Sequence, residues 1–145
     1  MTSLPLSTSS GSCWRRSRRS PVSRGAQLRF YVDADLLGIA RLLVSLRSDT
    51  TYPGDPGGIG IDRRLRPACP VAAPDVLDVD WIPVVSQHGW VILTKDGRIS
   101  RLPAERLAVR DNSARMIVVS GADKTKLRKW DQLEIVFTHC GGSKR

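Results

Sequence analysis

Two histidines, three cysteines and no long apolar run set the first limits on what this 145-residue chain can be. Cys13, Cys69 and Cys140 stand far apart and form no C-x-x-C. Neither a zinc site nor a disulfide framework is indicated, and this usage fits a reducing cytoplasm. His88 and His139 offer no Cys–His or Ser–His nucleophile pair. His88, just before Gly89, reads as a cation at a helix end, facing the last carbonyls. No stretch reaches the roughly 18 apolar residues of a membrane span, and no internal repeat is present. The glycine-rich segment has no G-K-[ST], which excludes a phosphate-cradling loop of that type.

Acids are missing altogether from residues 1–29, which carry six arginines, Arg15, Arg16, Arg18, Arg19, Arg24 and Arg29. That head contributes +6 of the formal +9, whereas residues 30–145, with 17 basic and 14 acidic residues, contribute only +3. Net charge of this sign points to an anionic partner such as nucleic acid, without specifying a fold. No apolar segment follows the basic cluster, so it is not a secretory signal. Its Ser/Arg composition cannot support a core. Residues 1–28 therefore read as a disordered basic extension that carries no site, the other reading being an arm that touches phosphates.

The rest alternates apolar runs with helical spacing. "RFYV" reads as a short buried strand at 29–32, and "LLGIARLLVSLR" as a helix from Leu36 to Arg47. Residues 49–74, with five prolines and four glycines, read as a long loop with little regular structure. A helix starting at Asp78 or Asp80 follows; Pro83 belongs in its first turn and Gly89 stops it. Trp90–Thr94 is a second strand, Pro103–Asn112 a helix, and Met116–Val119 a third buried strand. A last helix, capped by Asp123, turns Leu127, Trp130 and Leu133 to Ile135 inward. Such alternation predicts an α/β domain at 29–138 with a mainly parallel central sheet flanked by helices, followed by a flexible tail at 139–145.

In "FYVDADLL" a buried strand runs straight into Asp33, and an unpaired buried carboxylate costs several kcal/mol. Ligand sites of open parallel sheets form outside the carboxyl ends of the strands. Asp33 and Asp96 both fall at such ends, and Asp80 falls at a helix start. Taken singly, Asp80 reads as a helix cap, Asp96 as a turn residue, and Asp35 as the cap of the helix after the first strand. Taken together, the carboxylates repel one another unless a cation joins them. Mg²⁺ accepts carboxylate oxygens and waters and leaves positions for substrate phosphates.

"FYVDADLLGIARLL", "DVDWIPVVSQHGWVILTKDGRI" and "RMIVVSG" resemble the PIN-like domains, particularly the VapC-type toxins of bacterial toxin–antitoxin pairs. The resemblance spans Arg29 to Phe137 and implies a three-layer fold with metal-dependent endoribonuclease activity on RNA. It implies Mg²⁺ or Mn²⁺ held by acids, with Asp33, Asp80 and Asp96 as the matched residues and Thr94 orienting the T-x-D turn. Many members carry a further acid on a middle helix; Asp35, Asp55 and Asp62 are the candidates here. The toxin reading further implies a cognate antitoxin and a cytoplasmic protein without a membrane anchor, with homodimerisation open. Arg41, Arg63, Arg64, Arg98 and Arg101 are surface arginines available to hold RNA phosphates. Two other readings stand beside it. One is a PIN-like module that has lost catalysis and binds RNA or protein. The other is an aspartyl-phosphate phosphatase resembling the haloacid-dehalogenase type, through the strand-D-x-D form and Ser120 with Lys124.

Overall fold

Among the described residues four parallel strands, Thr50–Thr51, Phe30–Val32, Val91–Thr94 and Arg115–Val118 in that spatial order, form the central sheet. A computed structural model describes residues 25–97, 102–119 and 128–140. Their elements run β1 (Phe30–Val32), α1 (Leu37–Leu46), β2 (Thr50–Thr51), β3 (Gly58–Ile59), β4 (Leu65–Arg66), α2 (Asp78–Gln87), β5 (Val91–Thr94), α3 (Pro103–Asp111), β6 (Arg115–Val118) and α4 (Lys129–Cys140). Among them no helix is long and apolar enough to cross a membrane.

Alternation along the strands sorts the core into two layers. Tyr31 and Ile92 face one way and pack with Trp81, Ile82 and Val85 of α2, with Ala108 and Val109 of α3 joining at the margin. Val32 and Leu93 face the other way onto Ile39, Ala40 and Leu43 of α1 and Val136 of α4. The result is the expected three-layer α/β sandwich. Each of these fully buried side chains contributes roughly 1.5–3 kcal/mol by leaving water. Both central strands are covered on both faces, which is why they read as unbroken apolar runs. By contrast β6, expected as a buried strand, lies at the sheet edge with Ile117 and Val118 exposed and only Val119 just beyond it buried.

Several expectations are corrected in detail. The segment 49–74 has little regular structure, as expected, but its three two-residue strands and a buried ion pair fix it in place. Thr50 and Thr51 pair with β1 at the sheet edge, and β3 and β4 form a small antiparallel ribbon. A buried ion pair, Arg66 with Asp55, ties the segment down. Asp55 also accepts from Thr51 Oγ1 at 3.2 Å and from Gly57 N–H at 2.9 Å, while Arg66 Nη1 donates to the Thr50 carbonyl at 3.2 Å. Pro83 lies inside α2 and not in its first turn. Trp130 is 75% exposed, whereas Gln132 and Val136 are buried. The expected cap Asp123 and the inward Leu127 lie outside the described residues, as do residues 1–24 of the basic head and residues 141–145 of the tail. Residues 25–28 already belong to the folded unit, since Leu28 is buried and Ala26 N–H donates to Leu65 O. The last helix likewise runs on to Cys140.

Gly57 is one position where only glycine fits. Its φ is +78°, and a Cβ there would lie 2.5 Å from the Arg66 carbonyl oxygen and 2.8 Å from the Pro67 carbonyl carbon. Gly57→Ala is expected to destabilise the fold by roughly 3 kcal/mol, from strain at positive φ plus a backbone clash. Urea unfolding measures it, and a change below about 1 kcal/mol would contradict the close approach.

Candidate active site

The register that places Val32 beside Leu93 brings Asp33 next to the end of β5. Asp33 N–H still donates to Leu93 O at 2.8 Å, and the chain then bends into a 3-10 turn at Ala34–Leu36. Asp33 caps that turn: its Oδ1 accepts from Ala34 N–H at 2.6 Å. Its Oδ2 accepts from Thr94 Oγ1 at 2.9 Å, across 61 residues of sequence. The same hydroxyl lies 3.3 Å from Asp35 Oδ2, which also accepts from Lys95 N–H at 2.8 Å. Asp96 N–H in turn donates to Thr94 Oγ1 at 3.1 Å. A threonine hydroxyl has one proton. With Asp96 holding its acceptor side, that proton is aimed at the two carboxylates.

Asp35 is therefore not the cap of α1. The residue before α1 is Leu36, with no side-chain cap, and the Asp35 carboxylate reaches across to β5 instead. The turn after Asp33 rotates Asp35 back toward the strand end, a geometry that D-x-D spacing alone does not reveal.

Electrostatics set the pair apart. Asp33 is 8% exposed, and its pKa is pushed up to about 6, first by burial and then by the charge of Asp35; the Thr94 and Ala34 hydrogen bonds pull against this, and Asp78 adds to it. Asp35 reaches solvent on one side, and loss of water on the other raises its pKa against the Lys95, Asp96 and Thr94 hydrogen bonds. Among the described residues no Arg or Lys forms an ion pair with either carboxylate. Two partly desolvated acids thus share one hydroxyl, with the Lys95 charge acting on Asp35 from beyond ion-pair distance.

Of the two acids at the start of α2, Asp78 is the one whose side chain has a partner. Its Oδ1 accepts from Trp81 Nε1 at 2.9 Å, Trp81 packs on Tyr31 with ring centroids 4.8 Å apart, and the Asp78 charge is felt at Asp33. Asp80 is exposed, and among the described residues its side chain makes no hydrogen bond. Two residues along a helix is over half a turn, so the pair points apart. The signal that could have selected Asp78 is Trp81 three residues on, a helical neighbour with an indole N–H to place.

The remaining candidates are distributed as follows. Thr94 is fully buried at the hub. Asp96 is half-buried and tied to that hub through its backbone. Asp55 is engaged by Arg66, and Asp62 accepts from Ser48 Oγ near the amino ends of the strands, so neither joins the Asp33 site. Arg41 is exposed on α1, Arg63 and Arg64 are exposed beside β4, and Arg98 and Arg101 lie outside the described residues. Among the described residues no group of three His, Cys, Asp or Glu side chains is set to hold a metal ion. The pair Asp33 and Asp35 still fits Mg²⁺, which is held through one or two carboxylates and otherwise by water.

No curated protein and no solved structure matches the chain. A family profile described as a PIN like domain matches residues 29–121, from the residue before β1 to just past β6. That span is well over half of the chain and contains Asp33, Asp35, Asp78 and the Thr94–Asp96 turn; the protein belongs to the PIN-like domain family.

Proposed function

We propose that the protein is a metal-dependent endoribonuclease that hydrolyses RNA phosphodiesters, acting as the toxin of a VapC-type toxin–antitoxin pair with a cognate antitoxin. The observation that carries this reading is the junction of the Asp33 and Asp35 carboxylates on the Thr94 hydroxyl at the carboxyl end of a parallel sheet. A nuclease-type fold supports it, and membership of the PIN-like family sets aside the phosphatase resemblance.

Asp33 and Asp35 would hold Mg²⁺ or Mn²⁺, with Asp78 and Asp96 adding negative charge at the rim. Bound there, the ion would supply a water of lowered pKa and positive charge for the scissile phosphate. The chain's own groups do the positioning. Thr94 fixes the Asp33 rotamer, Asp96 N–H fixes Thr94, and Lys95 N–H fixes Asp35. Burial on the β5 side limits water at Asp33, which strengthens any charge interaction formed there.

The test is cleavage of a structured RNA in Mg²⁺ by the full chain. Asp33→Asn is expected to lower the rate by at least a hundredfold, as EDTA does. Cleavage surviving both would sink the assignment. A second reading, a PIN-like module without catalysis, is favoured by the lack of a three-carboxylate group among the described residues. Calorimetry decides between them, since a site that takes up neither Mg²⁺ nor Mn²⁺ cannot perform this chemistry.

A further inference from the structure

The amino ends of the same strands hold a second polar surface, whose lining includes none of the candidate active-site carboxylates. A cavity of about 410 Å³ there is lined by Gln27, Arg29, Arg47, Asp49, Asp62 and Arg64, among others. Both of its acids are occupied from within. Arg47 grips Asp49 through Nε and Nη2 at 2.9 and 2.8 Å, and Asp62 accepts from Ser48 Oγ and from Arg64 N–H. Arg64 itself sits only loosely on Asp62, at 3.8 Å with both side chains well exposed, an ion pair of little worth. Arg29 is exposed, and its guanidinium has no ion-pair partner among the described residues. Two guanidinium groups therefore face solvent over a cavity whose acids are already matched.

Gln27 also lines a cavity of about 390 Å³ whose walls include His88 and Trp90. Those rings stack with centroids 4.5 Å apart and planes 16° from parallel. Trp90 is buried and His88 exposed, so the imidazole is the solvent-side member of the stack. Exposed guanidinium groups on one cavity and an exposed stacked ring on the next, joined at Gln27, are the two parts of a single-strand binding surface, one for phosphate and one for base stacking. In sequence, the 24 residues before Gly25 carry five arginines and no acid.

We propose that this amino-end surface binds single-stranded nucleic acid, with Arg29 and Arg64 on successive phosphates and a base stacked on His88. It lies across the sheet from Asp33: four residues of extended chain, about 13 Å, separate Arg29 from that carboxylate. The surface acts by binding alone and does not depend on the cleavage reading.

The test is fluorescence anisotropy of a labelled single-stranded uridine octamer with the full chain, in EDTA, over a range of salt. Arg29→Ala/Arg64→Ala is expected to weaken binding about tenfold or more. The slope of log K against log salt should fall by about 1.4, two phosphates at roughly 0.7 each. His88→Ala is expected to weaken binding roughly five- to hundredfold, with little change in that slope. All three side chains are exposed, and a thermal melt checks that each variant folds. Affinities within twofold of the parent overturn the proposal. So does an equal loss in Arg106→Ala/Arg110→Ala, which would reduce the effect to net charge. Displacement of the octamer by a polyglutamate peptide at equal concentration would reassign the surface to an acidic protein and overturn it as well. Because the assay excludes metal, loss of cleavage with intact binding, or the reverse, separates this proposal from the nuclease reading.

Discussion

Replacing Asp33 by asparagine is expected to make the protein more stable at pH 7, by about 2–3 kcal/mol in EDTA. The native pKa of Asp33, about 6, lies above the ordinary aspartate value of 3.8, with burial the largest cause. The folded state therefore holds more protons than the unfolded state between about pH 4 and pH 6, and stability falls as pH rises through that window. Above it the ionised carboxylate bears the full penalty, and below it the penalty is absent. The asparagine side chain keeps the shape, accepts from Ala34 N–H, and can donate to Thr94 Oγ1, whose proton then turns to Asp35. The gain over the parent should vanish below about pH 4. Added Mg²⁺ should narrow the gap at pH 7, because ligand binding stabilises only the chain that binds it. Urea unfolding at pH 3.5 and pH 7, with and without Mg²⁺, measures all of this. A variant less stable than the parent at pH 7 in EDTA would mean that the Asp33 charge is already compensated.

The opposite result is expected at the other buried charge. Arg66→Met should cost roughly 3–5 kcal/mol, and Asp55→Ala a similar amount, because each leaves one partner's charge buried alone. The Asp55 and Arg66 side chains are 1% and 7% exposed, so water cannot replace the missing partner. Asp55→Leu/Arg66→Met should recover much of the loss, since both charges leave together; Thr51 Oγ1 and Gly57 N–H would still lack their acceptor. A double-mutant cycle by denaturant unfolding reads the coupling. Single losses below 1 kcal/mol, or a double variant no better than the worse single, would show that the pair does not anchor residues 49–74.

The contrast between these two sites bears on what could be read from residues alone. Strand and helix alternation was legible because β1 and β5 are buried on both faces, and because α1 keeps its apolar residues at helical spacing. Asp33 was legible because an acid directly after an apolar strand has no inexpensive place to go. That Asp78 and not Asp80 is tied down by a side-chain hydrogen bond was not, since both sit at a helix start and only the indole of Trp81 distinguishes them. Nor was the role of Asp35, which depends on a 3-10 turn redirecting its carboxylate to Thr94. The β3–β4 ribbon was hidden for a different reason: two-residue strands carry no period, and the Arg66–Asp55 contact that fixes them is a long-range event.

The bond from Thr94 to Asp33 closes a loop of 61 residues, and the adjoining strand pair Phe30–Val91 closes one of similar length. Contacts so distant in sequence form late and slowly, because the entropy of closing the loop must be met before any pairing rewards it. During synthesis, a chain that has emerged only through α1 carries both aspartates but lacks the hydroxyl that joins them. The candidate active site thus comes into being only when β5 docks beside β1, which delays any activity at this site until most of the sheet has been made.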